Sequence, residues 1–184
     1  MITDTVRFLT GGGRRVFVDC EHFFDGYRAN PSYALEVVRT AAEAGAEVVV
    51  LCDTNGGMLP AWMGEVVSAA GAVGVDLGIH CHNDTGCAVA NTLAAVDAGA
   101  MHVQGTMNGH GERTGNADLI TIAANLQLKY GWPVMPAENL ARATSISHAV
   151  AAITHVAPNA RQPYVGQLAF AHKAGLHASA IRVD

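Results

Sequence analysis

The sequence has 184 residues, half of them hydrophobic, and a formal net charge of −5 at pH 7. This length suits one globular domain with enough chain to bury a hydrophobic core. The mild acidity argues against nucleic acid or an anionic membrane surface as the main partner.

Short β-type runs alternate with helical patterns along the chain. The opening stretch MITDTVRFLTGGG predicts a helix and a loop, and the β-type runs that follow are RVFVDC (15–20), EVVVLCDT (47–54), DLGIHCH (76–82) and AMHVQGT (100–106). Helical patterns begin near Pro31, Pro60 and Asp84, and two further helices are predicted at about 117–130 and about 137–156. This alternation predicts right-handed βαβ units around a parallel sheet.

The spacing of these units, roughly 25–32 residues, is the spacing that a (β/α)8 barrel uses. A complete barrel needs about 250 residues, so four units make about half of one. A flavodoxin-like open sheet is the competing architecture.

The four cysteines, at positions 20, 52, 81 and 87, form no C-x-x-C pair, which argues against a zinc knuckle or a thioredoxin-type motif. Three of them end apolar runs and are predicted to act as small hydrophobic residues. No stretch has the pattern of a signal peptide or a membrane span. We therefore expect a protein of the reducing cytoplasm.

Polar side chains follow each predicted strand at the point where the strand ends. Barrel enzymes carry their chemistry at these carboxyl ends. Turns also favour aspartate and asparagine, which is an ordinary reason for polar residues there. Here all four strand ends carry groups able to bind a metal or transfer a proton, which favours a functional site. These groups are, strand by strand, Asp19 and Glu21; Asp53, Thr54 and Asn55; His80, His82, Asn83 and Asp84; and Thr106, Asn108 and His110.

The stretch LGIHCHNDTG places two histidines one residue apart at the end of an apolar run. Residues i and i+2 of a strand face the same way, so His80 and His82 point together while Cys81 points toward the helices. Two imidazoles about 7 Å apart at their Cα atoms can share one metal ion. The alternative is a pair of hydrogen-bonded core histidines. The position at a strand end favours a metal, which would need further oxygen or nitrogen ligands.

The stretch NGHGERTGNAD (108–118) holds three glycines, which permit tight turns and close backbone approach. It is either a flexible loop or a phosphate cradle, although neither P-loop nor Rossmann spacing is present. Asn116 lies where it could cap a helix. Glu112 and Arg113 either pair with neighbouring residues to hold the loop, or Arg113 contacts an acidic ligand.

Two long stretches of the sequence carry a family resemblance. HCHNDTGCAVANTLAAVDAGA, followed by HVQGTMNGHGERTGNADL, resembles the acyl-CoA-condensing metal enzymes that include the 2-isopropylmalate, homocitrate and citramalate synthases. DCEHFFDGYRANPSYAL and LCDTNGGMLP are most similar to the citramalate synthase branch. The resemblance runs across essentially the whole chain, and the H-x-H-N-D and G-x-G-E-R-x-G-N motifs are specific in combination.

The resemblance implies an α/β protein that holds the C-terminal half of a (β/α)8 TIM barrel. Four parallel βα units of the barrel would cover residues 1–135, and the terminal helix and the start of a helical linker subdomain would cover residues 136–184. The implied reaction is an acyl transfer in which acetyl-CoA condenses with a pyruvate-like 2-oxo acid. Hydrolysis of the thioester follows.

The resemblance also implies roles for individual residues. Glu21 matches an acid near the acetyl-CoA site, and His177, in AGLHASA, matches a linker histidine that assists proton transfer, usually in the barrel of a partner subunit. The implied metal ligands are His80, His82 and Asn116, and Thr54 matches a residue that contacts the oxo acid. Asn83 and Arg113 are further candidate substrate contacts. The ion would be zinc, manganese, cobalt or magnesium, and the protein is expected to form a homodimer.

One family motif, Asp-x-Thr-Leu-Arg-Asp-Gly on the first barrel strand, has no counterpart in this sequence. In the family it supplies a catalytic cation and a third metal ligand. We therefore expect the chain to be part of a longer protein or to receive the other half from another chain. The alternative functions are a metal-dependent carbon–carbon lyase or aldolase, and a catalytically inactive half-barrel that binds metal. The tail AFAHKAGLHASA favours the synthase.

Overall fold

Four strands alternate with helices in the computed structural model, which describes residues 1–172. His177 lies outside the described residues. The elements, in chain order, are α1 (Ile2–Gly11), β1 (Phe17–Cys20), α2 (Phe23–Ala29), α3 (Pro31–Glu43), β2 (Val48–Asp53), α4 (Pro60–Gly71), β3 (Asp76–Cys81), α5 (Ala88–Asp97), β4 (His102–Gln104), a 3₁₀ turn (Met107–Gly109), α6 (Leu119–Leu128), α7 (Ala137–Ala141) and α8 (Ala143–Thr154).

The four strands form one parallel sheet in the order β1-β2-β3-β4. Neighbours in sequence are therefore neighbours in the sheet, as in the wall of a barrel. A flavodoxin-like sheet would place one strand out of sequence order. The prediction of parallel βαβ units is confirmed, and the flavodoxin-like alternative is wrong for these strands.

The core lies between the sheet and the helices that cover its outer face. β2 is buried along its whole length, as is typical of a parallel strand covered on both faces. α3 buries Ala34, Val38 and Ala41, which recur at helical spacing along one stripe of the helix. α4 presents a similar stripe that includes Met63 and Val67. Burial of these apolar stripes holds the helices against the sheet.

The sheet is strongly curled, so that side chains of its two outermost strands meet on the inner face. The ring of Phe17 on β1 packs edge-on against His102 on β4, with ring centroids 5.0 Å apart. Gly78 on β3 leaves room for this layer, since a Cβ atom there would lie 2.8 Å from Val50 Cγ2 and 3.0 Å from His102 Cδ2. The curl brings the carboxyl ends of all four strands toward one another.

Local sequence signals locate several helix boundaries correctly. α3 begins with Pro31 at its first position, and Asn30 caps it by accepting a hydrogen bond from the Tyr33 N–H at 3.1 Å. α4 likewise begins at Pro60. Gly45 follows α3 with a φ of +101°, a conformation that favours glycine.

The helices differ from the prediction in three places. α5 begins at Ala88 rather than near Asp84, because the side chain of Asn83 accepts the Ala88 N–H at 3.1 Å and Asp84 is engaged elsewhere. The helix predicted at about 137–156 is divided into α7 and α8 at Arg142. The short helix α2 was not predicted, and it buries Phe23 and Phe24.

Contacts divide the chain into two units, Met1–Ile122 and a second unit that begins at Ala123. The first unit contains all four strands of the described sheet. The predicted domain boundary between residues 135 and 136 stays a prediction. No helix within residues 1–172 combines the length and apolar character needed to cross a membrane.

The cysteines occupy the environments that the sequence predicted. Cys20, Cys52 and Cys81 are buried, and Cys87 is half-buried. Burial raises the pKa of each of the three buried thiols, and the pKa of Cys20 rises to about 11. These three thiols therefore behave as small apolar side chains.

Candidate functional site

The loops that follow the four strands hold one another at the carboxyl edge of the sheet. The backbone N–H of His82 donates to the Asp53 carbonyl at 3.3 Å, and that of Asn83 donates to the Gly115 carbonyl at 2.9 Å. Asn116 forms an antiparallel bridge with His82. The loops after β2, β3 and β4 therefore form one connected rim.

His80 and His82 lie side by side on this rim. Their ring centroids are 5.1 Å apart, and both residues are half-buried. Cys81, between them, is fully buried on the opposite face of the strand. The direction that strand alternation predicts for the pair is thus the direction observed.

The ring of His80 is held by a hydrogen-bonded series of side chains. Its Nδ1 atom lies 2.8 Å from Gln104 Oε1, and Gln104 Nε2 donates to Asp19 Oδ1 at 3.0 Å. The three residues come from β3, β4 and β1 respectively. His80 is therefore fixed by contacts that cross the inner face of the sheet.

Two buried polar atoms at this site have no hydrogen-bond partner in the described part of the chain. They are Nδ1 of His82 itself and Oδ1 of the adjoining Asn116. An unsatisfied buried polar atom costs free energy unless something binds it. Asn116 does not cap the next helix. α6 begins at Leu119, and the Ile120 N–H is accepted by the carboxylate of Asp118 at 3.1 Å. The capping alternative for Asn116 is therefore wrong.

These observations test whether the site fits a metal ion. Two imidazoles and an amide oxygen are donors that divalent transition metals accept. Within residues 1–172, however, no group of three or more histidine, cysteine, aspartate and glutamate side chains is arranged to hold a metal. The donors therefore fit part of a metal site, and its other ligands would come from substrate, water or other polypeptide.

Glu21 and Thr54 are directly bonded across the loops after β1 and β2. The Thr54 hydroxyl donates to Glu21 Oε2 at 2.7 Å and accepts the His22 N–H, also at 2.7 Å. His22 adopts a left-handed conformation with a φ of +56°, which turns the chain sharply after β1. The exposed carboxylate of Glu21 thus has one defined partner.

Arg113 connects three loops of the rim. Its guanidinium donates to both oxygens of Asp84, at 2.8 and 2.9 Å, and to the Thr54 carbonyl at 2.8 Å. The hydrogen bond from Arg113 holds the pKa of the Asp84 carboxyl below its usual value. Reciprocally, Asp84 raises the pKa of Arg113. The backbone of Thr54, whose side chain holds Glu21, is therefore itself held by Arg113.

Comparison with known proteins identifies the family. A model of the HMGL-like protein family matches residues 1–150. The chain belongs to the HMGL-like family.

Named synthases are among the curated relatives of this HMGL-like chain. The (R)-citramalate synthase of Streptomyces coelicolor is 66% identical over 185 residues, which cover 100% of this chain and 35% of the relative. The 2-isopropylmalate synthase of Methanocaldococcus jannaschii is 37% identical, over 97% of this chain and 34% of the relative. The resemblance predicted from the motifs is confirmed, and the chain spans about a third of the length of these relatives.

A solved structure supports the fold of the HMGL-like chain. The carboxyl transferase domain of Rhizobium etli pyruvate carboxylase, determined with oxalate, matches with a TM-score of 0.68. The match has 21% sequence identity and covers 83% of this chain and 26% of that chain. At this identity the likeness shows the fold alone.

Not every polar strand end of the HMGL-like chain faces the candidate site. Asp53 is buried, and its two carboxylate oxygens accept the N–H groups of Gly57 and Met58 at 3.1 and 3.2 Å. Burial raises the pKa of Asp53, and these two hydrogen bonds oppose the rise. Asp53 therefore shapes the loop that leads into α4. Asn83 has a similar structural contact, because its Oδ1 atom accepts the N–H of Ala88, the first residue of α5.

Sequence reasoning did not predict two contacts of the candidate site residues. Gln104 was not singled out, although its place two residues before the end of the predicted β-type run AMHVQGT puts it on the same edge as His80. Asp84 was expected near a helix start and instead binds Arg113. Both partners depend on contacts between distant segments, so no local pattern signals them.

Proposed function

We propose that this chain is part of an acyl-CoA-dependent condensing enzyme of the (R)-citramalate synthase type. The observation that carries the proposal is the rim itself. A pair of imidazoles, an unpartnered amide oxygen and an exposed carboxylate lie on loops that are bonded together at one edge of the sheet. The family resemblance of the motifs supplies the proposed substrate class, acetyl-CoA and a 2-oxo acid that resembles pyruvate.

In this proposal His80, His82 and Asn116 hold a divalent ion, zinc, manganese, cobalt or magnesium. The ion, when bound, supplies Lewis-acid polarisation of the oxo acid carbonyl. The unpartnered atoms His82 Nδ1 and Asn116 Oδ1 support this assignment, because coordination would satisfy them. An acidic ligand from outside the described residues would complete the site.

Glu21 is the proposed base that removes a proton from the methyl group of acetyl-CoA. The methyl carbon then bonds to the carbonyl carbon of the oxo acid, and water later cleaves the thioester to release the CoA thiol. The Thr54 hydroxyl bonded to Glu21 Oε2 fixes the direction of the carboxylate. His177 is the proposed proton-transfer partner.

The proposed substrate contacts are Thr54, Asn83 and Arg113. Each has a structural contact of its own within the chain. Thr54 binds Glu21, and Arg113 binds Asp84. Substrate binding at these residues would therefore exchange or extend hydrogen bonds that already exist, so their contribution includes holding the rim in shape.

We further propose that the four βα units are the C-terminal half of a barrel and that residues 136–184 begin a linker subdomain. A homodimer in the cytoplasm is part of the same proposal. The sequential order of the strands and their curl support a barrel wall. The other half of the barrel would supply the missing ligand and the catalytic cation.

Thiol release from acetyl-CoA in the presence of pyruvate tests the function. We expect release from a longer polypeptide that adds an upstream half-barrel, and loss of release when His80 and His82 are both replaced by alanine. His148→Ala, an exposed histidine on α8, is the matched control and should leave release unchanged. Absence of release from the longer polypeptide with pyruvate and with other oxo acids would overturn the synthase proposal.

Metal content tests the site separately from turnover. In the longer polypeptide, the wild type should retain a divalent ion that the His80→Ala/His82→Ala variant loses, and His148→Ala should retain it. Equal metal content in all three proteins would refute the metal site. Metal retention without thiol release, in both lengths of polypeptide, would favour the inactive half-barrel alternative.

A further inference from the structure

Gln104 lies between a carboxylate and the first histidine of the pair. Its Nε2 atom donates to Asp19 Oδ1 at 3.0 Å, and its Oε1 atom lies 2.8 Å from His80 Nδ1. Gln104 and His80 are also direct register partners of the β3–β4 ladder. One amide side chain thus joins β1 to the metal-binding end of β3.

The carboxylate determines which way the amide faces. An ionised Asp19 carboxylate only accepts hydrogen bonds, and a glutamine amide has one end that donates and one that accepts. The Nε2 end of Gln104 must therefore face Asp19, which leaves Oε1 toward His80. The reverse orientation would bring two acceptors together at Asp19.

The amide in turn determines where His80 carries its proton. Because Gln104 Oε1 can only accept, the Nδ1 atom of His80 must be the donor in the 2.8 Å contact. A neutral imidazole protonated at Nδ1 keeps its lone pair on Nε2. That nitrogen is then the one available to bind a cation.

We propose that Gln104, held by Asp19, is a positioning residue that fixes the tautomer and ring direction of His80 for a divalent cation. The inference rests on the proposed metal site. His82 has no equivalent partner, since its Nδ1 atom is unpartnered within residues 1–172. The two histidines are therefore not equivalent, and His80 is the one that is oriented before the ion binds.

The inner face of the sheet explains how this contact is maintained. Phe17 and His102, two residues before Asp19 and Gln104 on the same strands, form the layer below, with ring centroids 5.0 Å apart. Successive inward residues of β1 and β4 thus meet in two layers. The packed aromatic layer keeps the outer strands close enough for Gln104 to reach Asp19.

Nitrogen-15 NMR of the metal-free chain at about pH 8, where an ordinary histidine is neutral, tests the tautomer directly. Long-range proton–nitrogen correlations should show His80 protonated at Nδ1. Gln104→Leu should shift His80 toward the Nε2-protonated form, whereas the double variant Asp19→Asn/Gln104→Glu should preserve the Nδ1 form, because its asparagine amide can donate to the glutamate and the glutamate still accepts from His80. Asp76→Asn, an exposed aspartate at the start of β3, is the charge-matched control for Asp19→Asn.

Binding of Co²⁺ to the same variants of the longer polypeptide, which supplies the missing ligand, tests the role. Partners that orient a metal-binding histidine typically change affinity by about 10–100-fold, so Gln104→Leu should weaken Co²⁺ binding by that range. The double variant Asp19→Asn/Gln104→Glu and the control Asp76→Asn should stay near wild type. Circular dichroism checks that each variant is folded, and Asp19→Asn, which weakens the same contact from its other end, serves if Gln104→Leu does not fold.

The outcomes separate this inference from the function it rests on. An Nε2-protonated His80 in the wild type would overturn the role of Gln104 even if Co²⁺ binds. A changed tautomer in Gln104→Leu with unchanged Co²⁺ affinity would also overturn it. Absence of Co²⁺ binding to the wild type, with the Nδ1 tautomer intact, would instead overturn the metal site and thereby the purpose of the orientation.

Discussion

Single side chains join the loops of the rim, and Arg113 makes several of these contacts. It binds Asp84 through two parallel hydrogen bonds, a geometry that lysine cannot reproduce. It also holds the Thr54 carbonyl, and Thr54 holds Glu21. The contact of Arg113 with the Thr54 backbone therefore helps to fix the direction of the Glu21 carboxylate, the proposed base.

We expect Arg113→Gln to loosen the loops after β2 and β3. Amide hydrogen exchange should become severalfold faster at residues 54–58 and 82–86, because the local opening that exposes these amides costs less free energy once the contact is lost. Arg39→Gln, which removes an exposed arginine paired with Glu36 on α3, is the matched control. Unchanged exchange in the Arg113 variant would show that the loops are held by other contacts.

The stability that Asp84 contributes should depend on pH with a definite sign. Its pKa is lowered in the folded chain from an ordinary value of 3.8, so its contribution is present above that value and is lost as pH falls through the lowered pKa. The difference in unfolding free energy between wild type and Asp84→Asn should therefore shrink when denaturant titrations are moved from neutral pH to below pH 3.8. A difference that grows on acidification would contradict the ion pair.

At the scale of elements, the inner face of the sheet depends on one glycine. Gly78 on β3 faces Val50 and His102, and a methyl group there would be too close to both. The interior of a small barrel wall is packed in layers, so one added atom displaces its neighbours. The small residue at this position is thus required by the close approach of Val50 on β2 and His102 on β4.

Gly78→Ala should destabilise the chain by about 1–3 kcal/mol through overpacking. Gly64→Ala, inside α4, has open space around the added methyl group and should instead stabilise by about 0.5–1 kcal/mol, because alanine favours helix. Denaturant midpoints of the two variants measure the contrast. If both variants changed the free energy of unfolding by the same amount, the inner layer would have to relax freely around the methyl group added at Gly78.

At the scale of the whole molecule, the sheet has two open sides. β1 and β4 each pair with one neighbour among the described strands, so each presents an unpaired edge. Unpaired edges bind further strands, and burial of an exposed apolar face favours association. Phe17, on β1, is 39% exposed at this boundary.

We expect the isolated chain to self-associate through these edges. Its sedimentation coefficient should rise with protein concentration, and a longer polypeptide that supplies an upstream half-barrel should remove the open edges. That polypeptide should then sediment as a defined species, for which we predict a homodimer. A single monomeric species of the isolated chain at all concentrations would contradict this expectation.

Much of the fold and part of the site followed from sequence because the signals are local. Alternation within β3 sets the common direction of His80 and His82, and proline locates the starts of α3 and α4. α2 was missed because its seven residues are too few to show a helical period. The start of α5 was misplaced because Asp84, a favourable capping residue, binds Arg113 instead.

The sequence by itself therefore determined the order of the four strands, the family, and which residue types lie at the strand ends. Only the tertiary structure decided how those residues pair. Gln104 and Asp19 are 85 positions apart, and Arg113 and Asp84 are 29 apart. Such pairs form only when the sheet curls and the loops meet, because a hydrogen bond depends on distance in space and leaves no periodic trace along the chain.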